Sequence, residues 1–170
     1  MEPRVAPKTE SSTPKTELST PKTELSALES HLGYWLRFVS NQVSHAFARR
    51  LAAAEVTVAE WVVLRELYDS ELAPSALADR LGMTRGAISK LADRLIAKDM
   101  IVRRASVADR RFQSLTLTRQ GRAITPKLAA LADENDAEFF ADLDIETRDR
   151  IAAAMKAIVR RKNLRGAPVD

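Results

Sequence analysis

The most constraining feature of the chain is the stretch from Pro74 to Lys98, where an apolar helical face is interrupted once, by a glycine, and then resumes. Pro74 suits the first turn of a helix, where a missing N–H costs nothing. Leu77, Ala78 and Leu81 give that helix one apolar side. Gly82 supplies the positive φ of a sharp turn, and Thr84 stands where a second helix takes its N-cap. Ile88, Leu91, Ala92 and Leu95 line one side of the second helix. At about 100° per residue, Gly86, Ser89, Lys90 and Asp93 point the opposite way, with Arg85 and Arg94 on the flanks. Two helices joined by a short turn containing glycine form a helix-turn-helix, the motif that places its second helix in the DNA major groove. Helical hairpins that bind nothing share the pattern, so the surrounding residues have to decide.

Charge is the first discriminator. The net charge of +4 hides an asymmetry: from Pro74 to Arg122 there are eleven bases against four acids, whereas Asp133 to Asp149 holds eight acids against Arg148 alone. One basic and one acidic lobe is the distribution expected when a single surface meets phosphates. Cysteine is absent from all 170 residues, which excludes disulfides, thiolate metal sites and thiol redox sensing, and two histidines make no zinc site unaided. No cofactor, metal or catalytic residue is expected: the chain has no nucleophile with a convergent base and no phosphate-cradling glycine loop. The longest apolar run is too short to span a bilayer, and Met1-Glu2-Pro3-Arg4 leads into no signal-peptide core. The expected location is cytoplasmic and nucleoid-associated, with no membrane partner.

Along the chain, residues 6–26 comprise three seven-residue units, Ala6–Ser12, Thr13–Ser19 and Thr20–Ser26, each with a proline that forbids a continuous helix. So few apolar residues cannot offset the entropy of ordering, so residues 1–26 are expected to form a disordered tail. Ser26-x-x-Glu29 offers a capping box for a long helix carrying Leu28, Leu32, Trp35, Leu36, Val39, Val43, Ala46, Phe47 and Leu51. Thr57-x-x-Glu60 repeats the cap for a second helix with Trp61, Val62, Leu64, Leu67 and Tyr68. Glu71-Leu72-Ala73 reads as a minimal strand. Beyond Lys98, Met100–Ala105 and Phe112–Leu117 read as two strands around Ser106–Arg111, a β-hairpin wing. Thr118 caps a helix that Pro126 is expected to bend near its start, and Asp144 begins a last helix.

In order and spacing these pieces resemble the MarR (multiple antibiotic resistance regulator) family of winged helix-turn-helix transcription factors, over about residues 27–162. The likeness is carried by Leu32-Gly33-Tyr34-Trp35-Leu36, Thr57-x-x-x-Trp61-x-x-Leu64, Leu77-Ala78-x-x-Leu81-Gly82-Met83-Thr84, Leu91-Ala92-Asp93-Arg94-Leu95, Asp109-Arg110-Arg111 and Leu115-Thr116-Leu117-Thr118-x-x-Gly121. One departure is Asp99-Met100, where the family commonly has a glycine and a hydrophobe. The resemblance implies a mainly α fold with a small β-hairpin wing, a winged helix-turn-helix domain plus a helical dimerisation domain. It partitions the chain into a tail at 1–26, a dimerisation helix at 27–56, a DNA-binding domain at 57–118, C-terminal dimerisation helices at 119–163 and a second tail at 164–170.

The function so implied is that of a sequence-specific transcriptional regulator, a repressor of nearby genes. It would bind double-stranded DNA as a homodimer at a near-palindromic operator and be released by a small phenolic or other anionic effector. Arg85, Ser89 and Lys90 are the candidates for base edges, and Gly86 lets the backbone approach closely. Ser75, Thr84 and Arg94 are placed for phosphates. In the wing, Arg111 resembles the family arginine that enters the minor groove, Asp109 would orient it, and Arg110 and Arg103 would touch the backbone. Asp93 would repel phosphate and is read as a structural partner for a neighbouring arginine. Asn41, His45, Trp61 and Arg65 are the candidate effector contacts. Rival readings are a winged-helix module for protein assembly, and a DNA binder with no effector.

Overall fold

The computed structural model describes residues 25–105, 113–164 and 166. The repeats as far as Glu24, the segment 106–112 with Asp109, Arg110 and Arg111, and positions 165 and 167–170 lie outside the described residues. Among the described residues the order is α1 (Leu32–Ala52), α2 (Val58–Asp69), α3 (Pro74–Leu81), α4 (Arg85–Ala97), β1 (Ile101–Ala105), β2 (Gln113–Leu117), α5 (Arg119–Phe140) and α6 (Ile145–Lys162). This is a mainly helical chain with one antiparallel hairpin, a winged helix.

Helix starts follow from local chemistry. Thr57 accepts from the Glu60 N–H at 3.2 Å, while the Glu60 carboxylate accepts from the Thr57 N–H at 2.9 Å, a complete capping box. The same reach of three residues closes Thr84 on Ala87, Thr118 on Gly121 and Asp144 on Thr147. Ser26 behaves differently. Its hydroxyl shares a 3.1 Å hydrogen bond with His31 Nε2, Ser30 donates to the Ala27 carbonyl, and Leu28–Ser30 form a short 3-10 turn. The expected capping box is therefore not made, and α1 starts at Leu32 after an extended His31. Side-chain bonds to nearby backbone compete with helix at this point, and Trp35 Nε1 adds another, donating to the Glu29 carbonyl at 2.8 Å.

The core is one cluster in which Leu51 and Val56 from the α1–α2 corner meet Val63, Leu64, Leu67, Leu77, Ile88, Leu95, Ile101, Leu115 and Leu128. Each fully buried leucine or isoleucine there contributes about 1.5–3 kcal/mol by leaving water. The hairpin pairs Ile101 with Leu117, Arg103 with Leu115 and Ala105 with Gln113. The minimal strand expected at Glu71–Ala73 is a single bridge, Leu72 to Leu115, which turns the pair of strands into the floor of the helix-turn-helix. Pro126 lies inside α5. Next to it Thr125 donates to the Gly121 carbonyl at 2.7 Å. Helix α5 returns along α1, where Asn135 Nδ2 donates to the Val43 carbonyl and Arg50 pairs with Glu134 and Glu138.

The two ends of the chain keep apolar residues out of that core. Leu32 is 69% exposed and Phe38 56% on α1, and Met155 is 45% and Val159 47% exposed on α6. Scattered exposed apolar residues are ordinary, but here large ones repeat on the same two helices.

Candidate nucleic-acid interface

The interface is built from the turn upward. Gly82 takes φ 61°, so the chain reverses after one residue, and the Met83 N–H returns to the Ala78 carbonyl at 3.0 Å. Thr84 then caps α4, and Ile88, Leu91, Ala92 and Leu95 are all buried on its inner side. That burial fixes the rotation of the helix: Arg85, Gly86, Ser89, Lys90, Asp93 and Arg94 are all exposed on the outer side. A Cβ placed on Gly86 would meet nothing within 4 Å, so the first turn of α4 is open to close approach. Arg85, Lys90 and Arg94 make no ion pair with the described residues, and Ser75 is exposed in the first turn of α3.

Three other cations of this segment are engaged within the fold. Arg103 of β1 donates to Asp93 of α4 at 2.7 Å, which bears out Asp93 as a partner for a neighbouring arginine and ties the wing strand to the outer face of α4. Arg80 pairs with Glu66 at 3.3 Å, and Arg122 lies over the Tyr68 ring at 5.4 Å. The base of the wing is secured at the exit from α4. Asp99 adopts φ 53°, so an aspartate serves where a glycine is usual. Thr118 closes this junction: its hydroxyl donates to the Asp99 carbonyl at 2.6 Å and its N–H to the Met100 carbonyl at 3.0 Å. Asp109, Arg110 and Arg111 lie outside the described residues.

A family model described as MarR family matches residues 54–111, which run from the α1–α2 corner into the wing. The fold is similar to that of CouR from Rhodococcus jostii RHA1 bound to p-coumaroyl-CoA, with a TM-score of 0.71 at 21% identity over 79% of this chain and 95% of that one. It is also similar to a mutant of MarR from E. coli complexed with operator DNA, with a TM-score of 0.68 at 22% identity over 75% of this chain and 93% of that one. Over residues 54–111 the chain is thus similar to the MarR family. Among its curated relatives is an uncharacterized HTH-type transcriptional regulator of Bacillus cereus, 29% identical over 123 residues, which are 69% of this chain and 80% of the relative. The winged helix described above is the fold shared with that E. coli MarR structure.

The four candidate effector residues do not form one lining. Trp61 packs edge-on against Phe47, with ring centroids 6.4 Å apart, and so belongs to the contact between α1 and α2. Arg65 donates to Asp69 at 2.6 Å and faces a shallow cleft of about 340 Å³ shared with Glu66, Ser70 and Arg80, whose charges are paired with one another. Asn41 and His45 are on α1 and take no part in that cleft. Among the described residues there is no group of three metal-ligating side chains, and no helix is long and apolar enough to cross a membrane.

One buried ion pair escapes sequence reasoning. Lys98 Nζ donates to the Glu55 carbonyl at 2.6 Å and to both carboxylate oxygens of Glu60 at 2.9 and 3.0 Å. Burial pushes the Glu60 carboxyl up, but the Lys98 hydrogen bonds and charge, with the Thr57 N–H, outweigh it and hold the group below its ordinary value. The capping box explains why a glutamate stands at position 60. Nothing in the sequence tells that this glutamate is fully buried, or that its counter-charge arrives from the far end of α4.

Proposed function

We propose that this chain is a homodimeric, sequence-specific repressor of nearby genes that acts in the cytoplasm, on nucleoid DNA, at a near-palindromic operator. The observation that carries the reading is the outer face of α4: exposed, headed by Arg85, Gly86, Ser89 and Lys90, and backed by four buried apolar residues that fix its direction. Arg85, Ser89 and Lys90 address base edges, where an arginine or lysine on guanine is the commonest specific contact. Ser75, Thr84 and Arg94 take phosphates and set register. In the wing, Arg111 enters the minor groove with Asp109 orienting it, and Arg110 meets the backbone. Arg103 serves first as the strut to Asp93 and reaches phosphate only by releasing it.

Residues 57–118 form the DNA-reading unit, and 27–56 with 119–163 the dimerisation unit. The exposed apolar residues of α1 and α6 support the second assignment. The effector, a small phenolic or other anion, is an extension from relatives: the CouR structure is bound to p-coumaroyl-CoA.

The test is selection from a random duplex library, followed by binding of Arg85→Ala and Lys90→Ala at two salt concentrations. Each variant is expected to change which sequence is preferred, at a cost of about 1–3 kcal/mol on the parent's best site. Arg110→Ala should lower affinity evenly across sequences and reduce the salt slope by about one unit for each phosphate it no longer neutralises. If Arg85→Ala and Lys90→Ala bind every sequence as the parent does, the groove assignment fails and a protein-assembly role for the winged helix takes its place.

A further inference from the structure

The contact around Lys98 joins the reading helix to the rest of the molecule at a place that the DNA face does not use. Three donors on one ammonium are spent on the Glu55 carbonyl and the Glu60 carboxylate, at 2.6, 2.9 and 3.0 Å. Glu55 lies in the corner between α1 and α2 and takes a left-handed φ of 55°. Glu60 is in the first turn of α2 and has no exposed surface. Lys98 itself is the C-cap of α4, and its carbonyl accepts from Gln120 Nε2 in the first turn of α5 at 3.3 Å. One residue thus gathers the end of the first helix, the start of the second, the end of the reading helix and the start of the long return helix. A buried carboxylate tolerates no loosening of its counter-charge, because an unpaired charge there is far costlier than an exposed one.

We propose that Lys98 is a positioning residue for DNA recognition: it fixes the direction in which α4 leaves the α1–α2 corner, and thereby the separation of the two reading helices in the homodimer. The inference rests on the dimeric DNA-binding reading given above and adds a determinant of half-site spacing to it. Geometry makes the lever long. The thirteen residues of α4 span about 20 Å from Lys98 to Arg85. A tilt of about 10° at the Lys98 end displaces Arg85 by about 3.4 Å, one base-pair step. The anchored end is the one remote from the bases, so the clamp acts on where the reading residues arrive and not on what they contact.

The experiment uses the full-length chain and the best site recovered from a random duplex library. Binding is measured on that site, on sites with the spacer lengthened or shortened by one base pair, and on a duplex with one half-site scrambled. Lys98→Met keeps the length of the side chain but strands Glu60. The double variant Lys98→Met/Glu60→Gln removes both charges and keeps an acceptor for the Thr57 N–H, and Lys98→Arg restores a cation. The parent is expected to prefer its own spacing by about tenfold or more, and both Met variants to lose about tenfold of that preference while binding the scrambled duplex as the parent does. Lys98→Arg should recover most of the discrimination. A double variant that melts with the parent and keeps the parent's spacing profile overturns the inference, as does an equal loss on every duplex. A parent that enriches no sequence from the library refutes the DNA-reading assignment instead, so the two failures are told apart.

Discussion

Gly121→Ala is the substitution that most directly tests how the wing is mounted on the helices. Gly121 is in the first turn of α5, and a Cβ built there falls 1.9 Å from the Met100 carbonyl oxygen, 2.9 Å from its carbon and 3.3 Å from Leu117 Cδ2. The first two are backbone atoms, so no rotamer relieves the clash, and ordinary contact requires the two segments to part by about 1.5 Å. Overpacking of this kind costs about 1–3 kcal/mol or more. The displaced carbonyl is also the acceptor of the Thr118 N–H at 3.0 Å, a bond worth about 1 kcal/mol. Better helix propensity returns less than about 1 kcal/mol. The net expectation is a loss of about 3 kcal/mol, or about 6–12 °C in melting temperature for a chain of this size. Thermal and urea unfolding at one fixed protein concentration measure it, because a dimer's stability depends on concentration. Gly33→Ala is the control: nothing lies within 4 Å of its Cβ, and the melting temperature should hold or rise slightly. Equal melting of Gly121→Ala and the parent would refute the close packing of α5 against the exit from α4.

Gly86→Ala should separate stability from function, since its Cβ is unobstructed and alanine favours the helix by up to about 1 kcal/mol; melting should rise while affinity for the selected operator falls, and unchanged affinity would remove Gly86 from the interface. The depressed Glu60 carboxyl makes a contribution that is fully present above its ordinary value of 4.5 and is lost as pH falls through its lower folded value. Urea midpoints taken from neutral pH downward should therefore fall more steeply in the parent than in Glu60→Gln, and parallel profiles would count against the pair with Lys98. Met155→Asp together with Val159→Asp, on the exposed apolar side of α6, should shift sedimentation toward monomer, and an undisturbed dimer would place the interface elsewhere. Deleting residues 1–24, which hold few apolar side chains, should leave melting unchanged, and a large loss would mean that the repeats pack against the body.

What the sequence made legible was chemistry with short reach. Caps at Thr57, Thr84, Thr118 and Asp144 read correctly because each closes on an N–H three residues away, and the rotation of α4 followed from four apolar positions. Ser26 carries the same local signature and fails, since its hydroxyl turns to His31 and the tryptophan at 35 ties down the Glu29 carbonyl. A cap motif is thus a competition among short-range hydrogen bonds, and an aromatic N–H a turn or two on is enough to tip it. Asp99 was legible as an anomaly, an aspartate in place of a glycine, and its left-handed φ gives the reason it is tolerated. The partnership of Asp93 with an arginine was foreseeable because β1 must follow α4 directly, whereas that of Lys98 with Glu60 joins residues 38 apart and depends on how α2 crosses beneath the reading helix. The same division holds for the candidate site. The candidates for base edges, Arg85, Ser89 and Lys90, lie on one helix and can be found by periodicity, while Asn41, His45, Trp61 and Arg65 would need two helices in a definite relation, and the packing of Phe47 on Trp61 and of Arg65 on Asp69 gives two of them other work. Functional residues borne by a single element are therefore the ones that sequence can name, and those that tune the relation between elements, Lys98 first among them, become visible only when the elements are packed.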